Sequence, residues 1–209
     1  MQELKNSSLT IPIFPLPIVA FPTSYVPLHI FEERYKMMMK DILETDRKFG
    51  IVMTDGRVLA QVGCLVQLVN HEPLADGRMN ILTQGKCRFA VEELCGHKPY
   101  KQAIVKVLAE QSVPASAYAL ADNVREAVSD VYRLLAKLDD REFEPPEDIP
   151  TDPLELSFWV PSRLYGDLIE QQRILELDDV ESRLQPEFSL LDSARKHMAA
   201  KTALKDALN

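Results

Sequence analysis

The amino-acid sequence predicts an α+β fold, in which a small β-barrel with one inserted helix is followed by a C-terminal α-helical bundle. The pattern of apolar residues changes near residue 110. Before that point, apolar residues form short runs interrupted by proline, glycine and aspartate, which is typical of strands and turns. After it, apolar residues recur at helical spacing, and Gly166 is the only glycine. We therefore expect a barrel domain over residues 1–110 and a helical domain over residues 111–209.

The first half contains short strand candidates and one helix. Proline cannot donate a hydrogen bond to a neighbouring strand, so five prolines restrict the opening strands to sheet edges or irregular segments: Pro12, Pro15, Pro17, Pro22 and Pro27. A helix is predicted over residues 32–45 from apolar residues at helical spacing: Phe31, Tyr35, Met38, Met39 and Ile42. Apolar runs, some of them alternating, predict further strands at 49–53, 62–69, 79–83, 88–94 and 103–108. Short strands around one helix indicate a small mixed barrel or pseudo-barrel.

The second half carries the signals of helices. One apolar stripe predicts a helix of about 22 residues. The stripe consists of Ala117, Leu120, Val124, Val128, Val131, Leu135 and Leu138. Asp152 followed by Pro153 is the pattern of an N-cap and a first helical position, and Asp178 with Glu181 has the spacing of a capping box. A last long helix is expected to begin near Pro186. Its buried side should contain Phe188, Leu191, Ala194 and Met198.

Charge and cysteine content narrow the classes of function. The chain has 32 acidic and 24 basic residues, a net charge of −8, and its basic residues are scattered. Nucleic-acid binding is therefore disfavoured, because the phosphate backbone usually selects a concentrated positive surface. Cys64, Cys87 and Cys95 contain no CxxC pair, so we expect neither a disulfide framework nor a cysteine zinc site. The sequence has no apolar run of about 20 residues and no secretion signal, and we expect a cytoplasmic protein.

An ordered set of short motifs in the first half resembles a known family. The motifs are Phe-Pro-Leu at residues 14–16, Pro-Leu-His-Ile-Phe-Glu-Glu-Arg-Tyr at 27–35, Phe-Gly-Ile-Val at 49–52, Val-Gly-Cys at 62–64, Asp-Gly-Arg at 76–78 and Gly-Lys-Cys-Arg-Phe at 85–89. In this order they are similar to the N-terminal substrate-binding domain of Lon proteases. The helical second half resembles the helical extension of that family only loosely, because helical bundles carry little sequence signature.

The resemblance implies a fold and a function. The family fold is a PUA-like β-pseudo-barrel with helices attached, and its role in Lon is to capture polypeptide substrates. We therefore expect a free-standing protein- or peptide-binding module, with an adaptor or regulatory role in proteolysis or protein quality control. Its partners would be unfolded or exposed apolar protein segments, or a partner protein; no membrane is implied, and the oligomeric state stays open. The alternative is an RNA-binding module, since other PUA-like barrels bind RNA.

The sequence lacks the motifs of nucleotide binding and of hydrolysis. No two of its seven glycines are five positions apart, as the phosphate-binding loop GxxxxGK[ST] requires. At the lone Gly85-Lys86 pair, Asn80 and Cys87 stand where that loop needs Gly and Ser or Thr. No GxSxG or HExxH motif is present. We therefore expect no enzymatic activity, no catalytic residue, no metal site and no cofactor.

Four residues are candidates for contacts with a partner. Met37 is the exposed candidate within Met37-Met38-Met39, because three consecutive residues cannot share one helix face. Phe158, Trp159 and Tyr165 form an aromatic group in the helical half, and aromatic residues are enriched in binding hot spots. Core packing is the alternative for this group. Core packing is also the role expected for Cys87 and Cys95, whose even separation predicts that both face the same side of a strand.

The absence of a phosphate-binding loop gives a first test. We expect the purified protein to show no ATP hydrolysis above the rate in buffer, since no glycine-rich loop and lysine are available to hold the phosphates. Phosphate release in a coupled assay is the measurement, with a P-loop ATPase as positive control. ATP turnover that disappears in Lys86→Ala would contradict this expectation.

Overall fold

Six strands and five helices lie within the residues that the structure describes. The computed structural model describes residues 8–164 and 166–208, and the side chains of all these residues except 207 and 208. Their contacts divide the chain into two compact units. Unit 1 consists of Met1–Glu110 and Ser162–Glu176, and unit 2 of Gln111–Pro161 and Leu177–Asn209. The architecture is α+β, as the sequence predicts.

The strands of unit 1 form one closed, mixed sheet. They are β1 (Ser8–Leu16), β2 (Tyr25–Ile30), β3 (Lys48–Met53), β4 (Val62–Pro73), β5 (Met79–Cys95) and β6 (Lys101–Val107). Their order is β2-β5-β4-β3-β1-β6, and β5 also pairs with β6. That last pairing closes β5, β4, β3, β1 and β6 into a barrel and leaves β2 as an added edge strand. Only β1 and β3 run parallel; the other pairs are antiparallel.

The strand β5 corrects the sequence prediction, which placed two strands at 79–83 and 88–94. The structure has one continuous strand, Met79–Cys95, through Gly85. Glycine is needed at this position because a Cβ atom on Gly85 would collide with the backbone carbonyl of Phe21. The strand then pairs with β2 and β4 in its first part and with β6 in its last part. A glycine that looks like an interruption in sequence is here the site of a close backbone approach.

Helix α1 (Glu33–Leu43) is packed into the main hydrophobic core of unit 1. Four of the five residues predicted for its apolar side are buried: Tyr35, Met38, Met39 and Ile42. Phe31 is not, because it precedes the helix and is exposed. The ring of Tyr35 packs on Phe14 of β1 with 4.1 Å between centroids. Full burial of a side chain of this size stabilises a fold by about 1.5–3 kcal/mol. The helix is therefore fixed to the barrel, and its remaining faces are free to carry other groups.

Helix α4 (Leu168–Glu176) returns the chain to unit 1 and was not predicted from the sequence. Asp167 caps it, accepting a hydrogen bond from the backbone N–H of Ile169 at 2.9 Å. Two buried side chains attach it to the sheet. Gln172 Nε2 donates to the carbonyl of Val62 at 3.0 Å, and Arg88 Nη1 donates to the carbonyl of Leu175 at 2.8 Å. Helix α4 has only nine residues, so it spans too few turns for a helical period to be detected in the sequence.

Unit 2 is built from helices. It contains α2 (Ala115–Leu138), most of α3 (Pro153–Leu164) and α5 (Val180–Leu208), and α2 packs against α5. Val124, Val128 and Val131 are buried, as the predicted stripe requires, whereas its three leucines, Leu120, Leu135 and Leu138, are only partly buried. The buried side is completed by small residues: Ala117, Ala121, Ala127 and Ala136. Alanines on this face allow the two helix backbones to approach closely.

The N-terminal cap of α3 agrees with the prediction, and that of α5 differs from it. Asp152 accepts a hydrogen bond from the backbone N–H of Glu155 at 3.0 Å, as expected of an N-cap. The cap of α5 is Asp179, not Asp178: its carboxylate accepts from the backbone N–H of Ser182 at 2.8 Å. The long helix begins at Val180 and continues through residue 186. Pro186 is the seventh residue of this helix, so it removes one interior hydrogen bond, and the helix nevertheless continues on both sides of it.

Unit 2 contains a buried carboxyl group that has no hydrogen bond among the described residues. Glu187 on α5 is fully buried, and neither of its oxygens has a hydrogen-bond partner among the described residues. Burial raises the pKa of Glu187 well above its ordinary value, and the charge of Arg183, one turn earlier, opposes this rise only in part. A buried, unpaired carboxylate is costly, so the fold favours the neutral acid over the carboxylate.

This carboxyl predicts how stability depends on pH. The folded protein binds the Glu187 proton more tightly than the unfolded chain, so stability is lost as pH rises above the unfolded pKa of about 4.3, by about 1.4 kcal/mol per pH unit up to the folded pKa. We expect Glu187→Gln to remove this slope and to be the more stable protein at pH 8. Urea unfolding at several pH values is the measurement, with the exposed Glu126→Gln as control. Parallel pH profiles for Glu187→Gln and the parent would contradict the expectation.

Candidate binding groove

Unit 1 contains a groove between β1, the C-terminal part of α1 and β6. Its volume is about 700 Å³, within the range of about 300–1,000 Å³ that is common for ligand sites. We call it the main groove. It is lined by Leu9, Thr10, Ile11, Pro12, Asp41, Ile42, Glu44, Thr45, Asp46, Lys48, Leu65, Cys87, Lys98, Tyr100, Gln102 and Val107. All these residues belong to unit 1.

The floor of the main groove is apolar. Ile11 and Ile42 are buried, and Leu65 and Cys87, which are paired across β4 and β5, are partly buried. Burial raises the pKa of the Cys87 thiol, so this sulfur is a neutral thiol at physiological pH. Leu65 and Cys87 therefore offer contact surface to an apolar side chain, and the floor carries no charge.

A hydrogen-bonded group stands at one wall of the main groove. Tyr100 Oη donates to Asp41 Oδ2 at 2.6 Å, and Lys98 Nζ lies 3.0 Å from the same oxygen. The hydrogen bond from Tyr100, followed by that from Lys98, lowers the pKa of Asp41. Burial and the neighbouring carboxylate raise the pKa of Tyr100. At neutral pH the group is thus a carboxylate held by a phenol and an ammonium, which fixes all three side chains.

A second, smaller hollow adjoins the main groove. It has a volume of about 370 Å³ and is lined by Arg34, Leu94, Cys95, Gly96, Lys98, Pro99, Tyr100, Lys101 and Gln102. We call it the basic hollow. It shares Lys98, Tyr100 and Gln102 with the main groove. The hydrogen-bonded wall of Asp41, Lys98 and Tyr100 therefore stands between two neighbouring compartments.

The structure places the four predicted contact residues in different environments. Met37 is half-exposed on α1, one turn after Arg34 and one turn before Asp41, but it does not line the groove. Phe158 and Trp159 are buried in α3, and the guanidinium of Arg183 lies 4.4 Å from the Phe158 ring centroid. In this conformation they offer almost no surface to a partner. Tyr165 lies outside the described residues.

The groove residues themselves were missed in the sequence. Asp41 and Tyr100 are separated by 59 residues, and no local pattern links them. Cys87 and Cys95 were expected to fill the core, but both are only partly buried, and they line the main groove and the basic hollow respectively. His29 of β2 bonds to the neighbouring strand: its Nδ1 lies 2.8 Å from Asn80 Oδ1 on β5.

Within residues 8–164 and 166–208, no three histidine, cysteine, aspartate or glutamate side chains come together in a way that could hold a metal ion. No helix in the described part of the chain has the length and apolar character that a membrane span requires.

Comparison with known families identifies the class of this chain. Residues 10–193 match the family model of the ATP-dependent protease La (LON) substrate-binding domain. The chain therefore belongs to this family. It is similar to the Lon proteases of Cytophaga hutchinsonii (26% identity over 200 residues, 87% of the chain) and Anaeromyxobacter dehalogenans (25% over 210 residues, 95% of the chain). It spans only about a quarter of the length of these relatives, 24% and 25%.

Solved structures show the same fold. The N-terminal domain of the Mycobacterium avium complex Lon protease aligns with a TM-score of 0.72 at 14% identity, covering 88% of this chain and 98% of that one. The Lon N-terminal domain protein from Xanthomonas campestris aligns with a TM-score of 0.65 at 20% identity, covering 87% and 98% respectively. The barrel with its attached helices is thus the fold of Lon N-terminal domains, as the sequence motifs predicted.

The wall of the groove allows a direct test of its geometry. We expect Tyr100→Phe to raise the pKa of Asp41, because the largest influence that lowers it is the hydrogen bond from the phenol. The carboxylate would then be lost at a higher pH as the solution is acidified. NMR titration of the Asp41 carboxyl carbon is the measurement, with the exposed Tyr25→Phe as control. An unchanged Asp41 titration in Tyr100→Phe would show that the two side chains are not bonded in solution.

Proposed function

We propose that this protein is a non-catalytic polypeptide-binding module that holds an exposed apolar segment of a client in the main groove. It would act as an adaptor or regulator in proteolysis or protein quality control. The observation that carries the proposal is the groove itself: an apolar-floored site of about 700 Å³, formed wholly by residues of the barrel unit within a chain that belongs to a substrate-binding family.

Apolar contact supplies the binding free energy in this proposal. Burial of apolar surface contributes roughly 25 cal/mol per Å² before the costs of association. The partly exposed apolar residues of the lining, Leu9, Leu65 and Val107, provide that surface. The wall of Asp41, Lys98 and Tyr100 limits where a side chain can enter. Such a site selects apolar character and shape over a particular sequence, which suits a protein that meets many clients.

Recognition by addition of a strand is disfavoured. The edge strand β2 exposes Tyr25 and Pro27, and an incoming strand would need a regular series of backbone donors along it. Pro27 lies in the middle of β2 and has no N–H to donate. A proline in this position protects an edge from pairing with another chain. We therefore assign client binding to side-chain contacts in the groove, with Met37 as a further contact candidate on the adjacent face of α1.

The cysteines support a non-catalytic function. Nucleophilic cysteines carry a lowered pKa, since the thiolate is the reactive form. Burial instead raises the pKa of both Cys64 and Cys87. The thiol in the groove is therefore a packing group, in agreement with the absence of hydrolase and nucleotide-binding motifs from the sequence.

A salt titration separates this function from RNA binding. We expect binding of a permanently unfolded, fluorescein-labelled protein to change little between about 50 mM and about 500 mM salt, because apolar contacts are not screened. RNA binding would fall steeply over that range as counterions are released. Fluorescence anisotropy with the unfolded protein and with a structured RNA, on one preparation, is the measurement. Tight, salt-sensitive binding of RNA without binding of the unfolded protein would contradict the proposal.

A pair of variants localises the site. We expect Thr10→Trp to weaken binding of the unfolded protein by about tenfold, or about 1.4 kcal/mol, because the indole would fill the groove that Thr10 lines. Ser8→Trp is the matched control, since Ser8 is exposed on the same strand and outside the groove lining. Equal affinities of the two variants would show that clients bind elsewhere.

A further inference from the structure

We propose that the occupant of the groove is the C-terminus of a polypeptide that ends in an apolar residue, with its terminal carboxylate in the basic hollow. The inference rests on the proposed function and specifies its ligand. It follows from how charge is divided between the two adjoining compartments.

The charges of the two compartments differ in sign. The main groove is lined by three carboxylates, Asp41, Glu44 and Asp46, and by two lysines, Lys48 and Lys98. The lining of the basic hollow contains Arg34, Lys98 and Lys101 and no acidic residue. An anion is therefore attracted to one end of the site only, and this fixes the direction in which a peptide lies.

The cations of the basic hollow are not all engaged. Arg34 pairs with Glu32 at 2.7 Å, and Lys98 pairs with Asp41 at 3.0 Å. Lys101 is exposed at the start of β6 and has no ion-pair partner among the residues that the structure describes. An incoming carboxylate would thus meet an uncompensated ammonium at Lys101, with Arg34 and Lys98 nearby to strengthen the field.

The closeness of the two compartments favours a terminal carboxylate over an acidic side chain. They share Lys98, Tyr100 and Gln102, so the apolar group and the anion of the ligand must be close together. In a C-terminal residue, the side chain and the carboxylate are attached to the same Cα atom. In an extended internal segment, neighbouring side chains point to opposite sides, so an aspartate beside a leucine would be directed away from the hollow.

Three labelled peptides test this inference. The first is Gly-Ser-Gly-Leu-Phe-Leu with a free C-terminal carboxylate, the second is its C-terminal amide, and the third carries Asp after the last Leu and ends in an amide. We expect the free acid to bind about twofold to fivefold more tightly than the amide, the range measured for exposed ion pairs. The difference should shrink as salt is raised, because the pair is solvent-accessible. Fluorescence anisotropy at low and high salt is the measurement.

Lysine variants assign the effect to the basic hollow. Lys101→Gln should bring the affinity for the free acid close to that for the amide, whereas Lys101→Arg should retain most of the difference. Lys106→Gln is the matched control: it makes the same change of charge at an exposed position of the same strand, outside both compartments.

The outcomes separate the two proposals. Equal binding of acid and amide, both weakened by Thr10→Trp, would overturn the carboxylate inference and leave the groove as a polypeptide site. If the third peptide, which ends in Asp with an amidated C-terminus, binds as tightly as the free acid, the assignment to a C-terminal carboxylate is overturned. An acid preference that survives Lys101→Gln would remove the basic hollow as its source. Failure of all three peptides and of the unfolded protein to bind would overturn both proposals.

Discussion

The buried guanidinium of Arg88 is the interaction on which unit 1 depends. Arg88 is 1% exposed, and its charge cannot be neutralised by loss of a proton. Its Nε and Nη2 donate to the two carboxylate oxygens of Glu110 at 2.6 and 3.2 Å, and its Nη1 donates to the carbonyl of Leu175 at 2.8 Å. One side chain of β5 thus joins the segment after β6 and the end of α4. A buried charge that lacks its partners strongly destabilises a fold, so these segments must come together for the unit to fold.

Helix α1 determines where the polar wall of the main groove lies. The barrel core is filled by apolar side chains from the strands and from the inner face of α1. The same helix turns Asp41 toward the groove and its neighbour Ile42 into the core, because successive residues of a helix point about 100° apart. The polar wall is therefore held by a helix that the core has already fixed. Asp41 is thus positioned by the fold before any ligand arrives.

The parts of the fold that local patterns encode could be predicted, and the parts that depend on distant contacts could not. Helix α1 and the stripe of α2 follow from the spacing of apolar residues. The continuity of β5 through Gly85 depends on the approach of the Phe21 carbonyl. Helix α5 continues through Pro186, although a proline usually ends a helix. Likewise, the groove joins residues from five strands and one helix, so no single stretch of sequence marks it. The exposure of Met37 could be predicted, because three consecutive residues of a helix cannot all face the core.

The division of the chain has a consequence for its synthesis. Residues 111–161 belong to unit 2, yet they precede Ser162–Glu176, the last piece of unit 1. In addition, β1 pairs with β6, so Ser8 waits for Lys106 before the barrel can close. On the ribosome, the barrel must therefore remain open until β6 has emerged, and unit 1 still lacks α4 while the first long helix of the other unit emerges. Contacts of such large sequence separation slow folding and leave apolar surface uncovered for longer. A member of a substrate-binding family would thus itself pass through a state that displays the kind of surface such proteins capture.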